Sequence, residues 1–149
     1  MHAEYSLLPG STDSRFRRER RGAKGRTQEI ERLVARSLRA AIDLEELGPI
    51  ALNVDCDSLN ADGGTRCASI TAANLALRLA IRRLIATGQC LPKELRPTDE
   101  ERRSGWQAPE LSQAEQLAHE NRVLPNDLAA ISVGLIDGEV YLDLDYVLD

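Results

Sequence analysis

Apolar positions along the chain fall into stretches with different periods. Ile30, Leu33, Val34, Leu38, Ala41 and Ile42 recur at three- and four-residue spacing, the signature of a helix with one buried stripe. Thr27 has the chemistry of an N-cap for it. Glu29 and Glu31 then fall in the first turn, where the helix dipole favours acids. Arg32, Arg36 and Arg39 take another face, and Gly48-Pro49 stops the run. From Ile50 the period becomes two. Ile50, Leu52, Val54 and Cys56 alternate with Ala51, Asn53 and Asp55, which predicts a strand with the first set facing the core. Arg66 to Thr87 is apolar on most sides, so a second, well-buried helix is expected there, ended by Gly88. Leu128 to Ile136 is apolar, Asp137-Gly138 suits a type I′ turn, and Glu139 to Leu148 returns as the second arm of a hairpin. Val140, Leu142, Leu144 and Tyr146 alternate with acids, predicting one buried face.

Two stretches lack such a period. Residues 1–26 read as loop, with Pro9-Gly10-Ser11-Thr12, Gly22 and Gly25 as breakers. Residues 89–127 hold four prolines, eight acids and five bases. They read as a solvated, flexible insertion with a short helix from Ser112 to Asn121. The order is helix, strand, helix and hairpin, an α/β (α+β) arrangement without internal repeats. The 149 residues suit one domain.

Composition narrows the class. Aromatics are 3% of the chain, so the core is aliphatic. No uncharged stretch approaches the ~18 residues of a membrane span, and the residues after Met1 lack a signal-peptide pattern. Cys56, Cys67 and Cys90 are odd in number and widely spaced, which argues for a reducing, cytoplasmic setting and no disulfide framework. The net charge of −5 hides a separation: residues 1–40 hold ten Lys/Arg and five Asp/Glu, and residues 41–149 hold nine and nineteen. Arg15, Arg17, Arg18, Arg20, Arg21, Lys24 and Arg26 concentrate the positive part, and the last thirteen residues carry five acids and no base. That asymmetry predicts a polyanion surface beside a cation site.

The strongest chemical signal is Asp55-Cys56-Asp57-Ser58-Leu59-Asn60-Ala61-Asp62-Gly63-Gly64-Thr65-Arg66. It puts a glycine loop between a strand end and a helix start. Backbone N–H groups, the positive helix end, the Thr65 hydroxyl and the Arg66 guanidinium converge there, a design for phosphate. An ordinary strand-to-helix turn with an exposed arginine reads the same way. The pattern is not a Walker loop. Arg26, at the entry to the first helix, is a second phosphate clamp on this reading or else a solvated residue before a cap. The arginines at 15–21 suit RNA phosphates, with Phe16 as a stacking ring, or form a solvated basic loop. Asp143, Asp145 and Asp149 share one face of an extended strand and suit Mg²⁺, or form an exposed polar face. His2 and His119 lie far apart, and no Cys-x-x-Cys exists, so a histidine triad or zinc knuckle is not expected.

Three ordered stretches resemble the ribonuclease PH family: Ala3-Glu4-Tyr5-Ser6-Leu7-Leu8-Pro9 with Ser11-Thr12 and Arg15-x-x-Arg18-Glu19; Gly25-Arg26-Thr27-Gln28-Glu29-Ile30 through Ala41; and Asp55-Cys56-Asp57 with Ala61-Asp62-Gly63-Gly64-Thr65-Arg66-x-Ala68-Ser69-Ile70-Thr71. The likeness covers about 3–88 and 128–149 and favours this family over polynucleotide phosphorylase and the exosome ring subunits. It implies a partial ribonuclease PH-like fold of the ribosomal protein S5 domain 2-like type. It also implies a phosphorolytic 3′-to-5′ exoribonuclease that trims tRNA precursors and other RNA 3′ ends, with inorganic phosphate as co-substrate and nucleoside diphosphate as product. On that resemblance Arg26, Gly64, Thr65 and Arg66 bind phosphate, with Arg66 also catalytic. Arg15 and Arg18 grip tRNA, and Asp149 serves catalysis and Mg²⁺. A homohexamer built from dimers is implied, with no membrane partner.

The sequence departs from the family pattern at Gly10, Cys67, Ala72 and Leu148. It is also expected to lack strands before Ala3-Glu4-Tyr5, and the second acid, further strands and a helix beyond Asp149, so that it covers roughly the middle half of a member. A non-catalytic remnant that binds tRNA or joins a full-length ring is the alternative reading. An unrelated basic RNA-binding module is a third, but it leaves the Gly63-Gly64-Thr65-Arg66 loop without a role.

Overall fold

A computed structural model describes residues 1–19, 22–145 and 147–148. Arg20, Arg21, Tyr146 and Asp149 lie outside the described residues. The chain mixes helices and strands, as its periodicity predicts, and forms two compact units. The first holds residues 1–38, 52–74 and 128–149; the second holds 39–51 and 75–127.

In the first unit, strand β1 (His2–Leu7) pairs in parallel with strand β2 (Asn53–Ser58), Tyr5 standing opposite Cys56. Parallel strands need a crossover, and helix α1 (Gly25–Ala41) lies in it. The alternation expected at 50–56 is observed with the strand shifted to Asn53–Ser58, Val54 and Cys56 half-buried and Asn53, Asp55 and Asp57 exposed. β1 corrects the loop reading of residues 1–26. Its six residues alternate just as clearly, with Ala3 and Tyr5 buried and His2, Glu4 and Ser6 exposed.

Helix α1 buries Ile30, Val34 and Leu38 and exposes Arg32 and Arg36, as the spacing predicts. Its start differs. The helix begins at Gly25, so Thr27 is not a cap and no acid occupies the first turn. The acid comes instead from the preceding loop. The Glu19 carboxylate accepts the Lys24 N–H at 2.8 Å and the Thr27 hydroxyl at 3.2 Å. Helix α1 also ends earlier than expected, at Ala41. Asp43 caps a separate short helix, α2 (Leu44–Leu47), by accepting the N–H groups of Glu45 and Glu46. Gly48, at φ 81, closes that helix.

Helix α3 (Thr65–Ala86) matches the second predicted helix. In the first unit it buries Ile70 and Ala73. In the second it buries Leu77, Ile81 and Ile85 while Leu75 and Leu79 are exposed. A four-residue repeat keeps only one stripe covered, which corrects the expectation of burial on most sides.

The second unit gives structure to residues 89–127. A 3₁₀ turn (Lys93–Leu95), helix α4 (Asp99–Arg103) and helix α5 (Gln113–Val123) lie there, with Thr98 and Ser112 each closing a capping box. The segment was expected to be solvated, yet it buries Cys90, Leu91, His119, Glu120, Val123 and Leu124. Glu120 is held by Arg78 at 2.9 Å and Arg82 at 2.7 Å. His119 Nε2 lies 3.6 Å from the Cys90 sulfur. Burial, and then the Arg122 charge, keep the pKa of this histidine below its usual value, and burial pushes the Cys90 thiol up.

The hairpin is present in the first unit as strands β3 (Val133–Ile136) and β4 (Glu139–Leu142), antiparallel. Asp137 and Gly138 both have positive φ, as a type I′ turn requires. The predicted buried face is not observed. Val140 and Leu142 are exposed with their partners Leu135 and Val133, and only Leu144, beyond the strand, is buried. Leu144 packs on Gly134, where a Cβ would have no room. Tyr146, the last residue of that predicted face, lies outside the described residues.

Candidate functional site

Parallel pairing sends the segments that follow β1 and β2 out of the same end of the sheet, the end where open α/β sheets bind ligands. The two segments touch. Leu8 N–H donates to Ser58 C=O at 3.2 Å, and Ala61 N–H donates to Ser11 C=O. The loop after β2 turns through Gly63 and Gly64, both left-handed, with Gly64 at φ 56. Gly64 is also crowded, since a Cβ there would stand 2.8 Å from Asp143 Oδ1 and 3.6 Å from Ser132 Oγ. Only glycine meets both demands without strain.

Helix α3 starts at the next residue. Its first helical bond runs from Ala68 N–H to Gly64 C=O at 3.0 Å, so the N–H groups of Thr65, Arg66 and Cys67 face out of the helix end. The Tyr5 hydroxyl donates to Thr65 Oγ1 at 2.8 Å and fixes that side chain from the neighbouring strand. Arg66 is tied to α1: its Nη2 and Nε donate to Glu29 Oε2 at 2.8 and 3.2 Å. Arg26 is the second residue of α1 and exposed. It precedes Glu29 by three positions, which places the two on one helix face. Gly64, Thr65, Arg66 and Arg26 therefore belong to one end of the first unit.

Arg15 and Arg18 are exposed on the loop after β1. Pro9 C=O accepts the N–H of the half-buried Phe16 within that loop. Of the basic cluster, Arg20 and Arg21 lie outside the described residues.

The acidic arm differs from its prediction. Asp143 sits past the end of β4 at φ 55, and its N–H donates to Ser132 C=O at 2.9 Å. Asp145 Oδ1 accepts the N–H groups of Val147 and Leu148. The left-handed residue ends the extended run, so Asp143 and Asp145 do not line one strand face. Asp149, the predicted catalytic and metal-binding acid, lies outside the described residues. Among the described residues, no group of three His, Cys, Asp or Glu side chains is placed to hold a metal.

Asp143 nevertheless brings a carboxylate against the glycine loop. Beside it the Ser132 hydroxyl is buried without a hydrogen-bond partner among the described residues, as is that of Ser11. An orphaned buried hydroxyl marks a place where a ligand or water completes the bonding. Burial, and then the charges of Asp55 and Asp57, push the thiol of the half-buried Cys56 up.

Reasoning from sequence missed Tyr5, Glu29 as the partner of Arg66, and Ser132. The alternation over residues 2–7 was a signal for Tyr5. Nothing local links Tyr5 to Thr65 or Glu29 to Arg66, because each pair meets only through the parallel crossover.

Comparison with known proteins bears on this arrangement. The model of the 3′ exoribonuclease family, domain 1, matches residues 1–82, which hold Arg26 and the whole loop through Arg66. Proteins named ribonuclease PH are similar over nearly the entire chain. That of Rhodopirellula baltica is 47% identical over 148 residues, covering 99% of this chain and 50% of its own length. That of a Synechococcus strain is 46% identical over 149 residues, covering 100% and 49%. That of Neisseria meningitidis is 42% identical over 149 residues, covering 99% and 50%. The chain thus spans about half the length of the curated relatives it matches.

Proposed function

Because the chain belongs to the 3′ exoribonuclease family, we propose that its Gly64-Thr65-Arg66 loop holds inorganic phosphate for the phosphorolysis of RNA from the 3′ end. The observation that carries this reading is the convergence at one helix start. Three outward N–H groups, a Thr65 hydroxyl fixed by Tyr5 and the Arg66 guanidinium meet there, with Arg26 on the neighbouring helix. The backbone N–H groups and the Thr65 hydroxyl bind an anion without reorganising, which is the form of stabilisation phosphoryl transfer needs. Glu29 holds Arg66 in the meantime. Both side chains are about half exposed, and a surface pair of this kind is worth at most about 1 kcal/mol, so a doubly charged phosphate competes for the guanidinium.

In the proposed reaction a phosphate oxygen attacks the phosphorus of the last phosphodiester. The bond from that phosphorus to the 3′ oxygen of the preceding nucleotide breaks, and that oxygen takes a proton. The terminal nucleotide leaves as a nucleoside diphosphate. Arg66 and Arg26 offset the charge on the attacking phosphate and on the scissile group. Arg15 and Arg18 grip the RNA backbone, with tRNA precursors as the proposed substrate. Mg²⁺ is the proposed cofactor. A carboxylate against a phosphate loop repels phosphate unless a cation lies between them, and Asp143 Oδ1 and the orphaned Ser132 hydroxyl are hard oxygen donors that suit Mg²⁺. Asp149 is the further acid of this reading. When bound, the ion would neutralise charge between carboxylate and phosphate. Assembly into a homohexamer, a trimer of dimers, in the cytoplasm completes the proposal.

The test incubates the chain with a 3′-extended tRNA, phosphate and Mg²⁺ and follows nucleoside diphosphate release. Diphosphate formed in proportion to phosphate, and lost in Arg66→Ala, is the expected result. RNA binding without any diphosphate would instead make the chain a non-catalytic RNA binder, the alternative that the exposed Arg15 and Arg18 favour.

A further inference from the structure

The second unit contains a cavity of about 350 Å³. Its walls come from the α2 region, the end of α3 and the segment after it, and Leu47, Leu84 and Trp106 supply apolar surface. Two cations line it, Arg96 and Arg102, and no acid does, in a chain whose net charge is −5. Arg96 is fixed in place. It donates to the carbonyls of Leu91 at 2.8 Å and Glu45 at 2.9 Å, and to that of Glu46. The Glu45 and Glu46 carboxylates are turned to Lys93, His119 and Arg122 instead. Arg102 is exposed at the end of α4, and its side chain has no ion pair among the described residues. Gln89 adds an amide at the rim whose Nε2 already donates to the Thr87 hydroxyl, leaving its oxygen to accept.

An apolar wall with an indole, an unpaired guanidinium and an amide acceptor fits a flat heteroaromatic ring that carries an anion. The volume lies near the lower end of the roughly 300–1,000 Å³ of small-molecule sites. We propose that this cavity is a nucleotide site, with the base on Trp106 and a phosphate on Arg102, separate from the phosphate loop of the first unit. The choice of a nucleotide over other flat anions rests on the RNA-processing reading above. The nucleotide is either free or part of an RNA strand, and the two sources share this chemistry.

Trp106 is the only tryptophan in the chain, so its fluorescence reports on the cavity alone. The chain is titrated with ADP and, separately, with a ten-nucleotide oligoadenylate. Saturable quenching is expected in at least one arm. Quenching by ADP assigns the site to free nucleotide, and quenching by the oligonucleotide alone assigns it to a strand. Arg102→Ala is expected to weaken binding about tenfold, the loss of one charge-assisted contact. Arg102→Lys keeps the charge and should retain most of the affinity. Arg103→Ala, next to it on the same helix but outside the cavity lining, should match the unaltered chain. Arg66→Ala should leave the quenching intact. Absence of quenching in both arms, or equal affinities for Arg102→Ala and Arg103→Ala, overturns the proposal. If phosphate binding at Arg66 fails while Trp106 quenching persists, the phosphate-loop reading falls and the cavity stands; the reverse pattern removes only the cavity.

Discussion

Replacing Gly64 by alanine tests the geometry of the loop in two separable ways. The residue sits at φ 56, and a Cβ would meet Asp143 Oδ1 at 2.8 Å. Left-handed backbone costs an L-residue with a side chain about 1–2 kcal/mol. Moving the Asp143 carboxylate off its rotamer costs about 0.5–1.5 kcal/mol more. Together they predict a loss of about 2–3 kcal/mol, or roughly 5–10 °C in Tm for a chain of this length. Gly10→Ala is the internal control. It has no positive φ and nothing within 4 Å of its Cβ position, so it should be neutral or stabilising by up to about 1 kcal/mol. Differential scanning calorimetry reads both. In an Asp143→Ala background the contact is gone, and Gly64→Ala should then cost only its backbone part. Equal Tm values for Gly64→Ala and Gly10→Ala would refute the reasoning, as would an unchanged cost in the Asp143→Ala background.

Tyr5→Phe keeps the buried ring and removes only the hydroxyl that holds Thr65; calorimetric phosphate affinity should fall about three- to tenfold with unchanged circular dichroism, and an unchanged affinity would deny Tyr5 a positioning role. Burial alone would raise the Glu120 carboxyl, but hydrogen bonds and charge from Arg82 and Arg78 outweigh it and hold the group below its usual 4.5. Its stabilising effect is therefore complete above pH 4.5 and lost as pH falls through the lower folded value, so Glu120→Gln should cost about 2 kcal/mol at neutral pH and flatten the acid limb of a stability–pH curve. In thiol labelling of the native chain, the fully buried Cys90 should react last and only as fast as the protein opens, after the half-buried Cys67 and Cys56; early labelling of Cys90 would contradict its packing against His119.

What was legible in the sequence was what neighbours dictate to one another. The two-residue period at Val54 and Cys56, the Asp137-Gly138 turn and the start of α3 within one residue of Arg66 each follow from local chemistry, and each is observed. The loop from Gly63 to Arg66 was likewise readable, because its glycines and helix start lie side by side. Long-range closure was not readable. The partner of β1 lies some fifty residues on, so six alternating residues near the start read as loop. The start of α1 was misplaced because its acid, Glu19, reaches it from the preceding loop. The acidic arm read as a continuous strand because alternation alone does not reveal that Asp143 turns left-handed to pass Gly64. The hairpin's apolar face was expected to be covered because its pattern matches a covered one, yet Val133, Leu135, Val140 and Leu142 are exposed.

The proposed function stands or falls with inorganic phosphate binding at the loop that ends in Arg66. Isothermal titration of phosphate into the chain and into Arg66→Ala tests it most directly. Saturable binding is expected that weakens at least about tenfold in the variant, as the loss of a guanidinium on a doubly charged anion requires, with sulfate competing for the same site. Phosphate binding of equal strength in both proteins, or none in the unaltered chain, would contradict it.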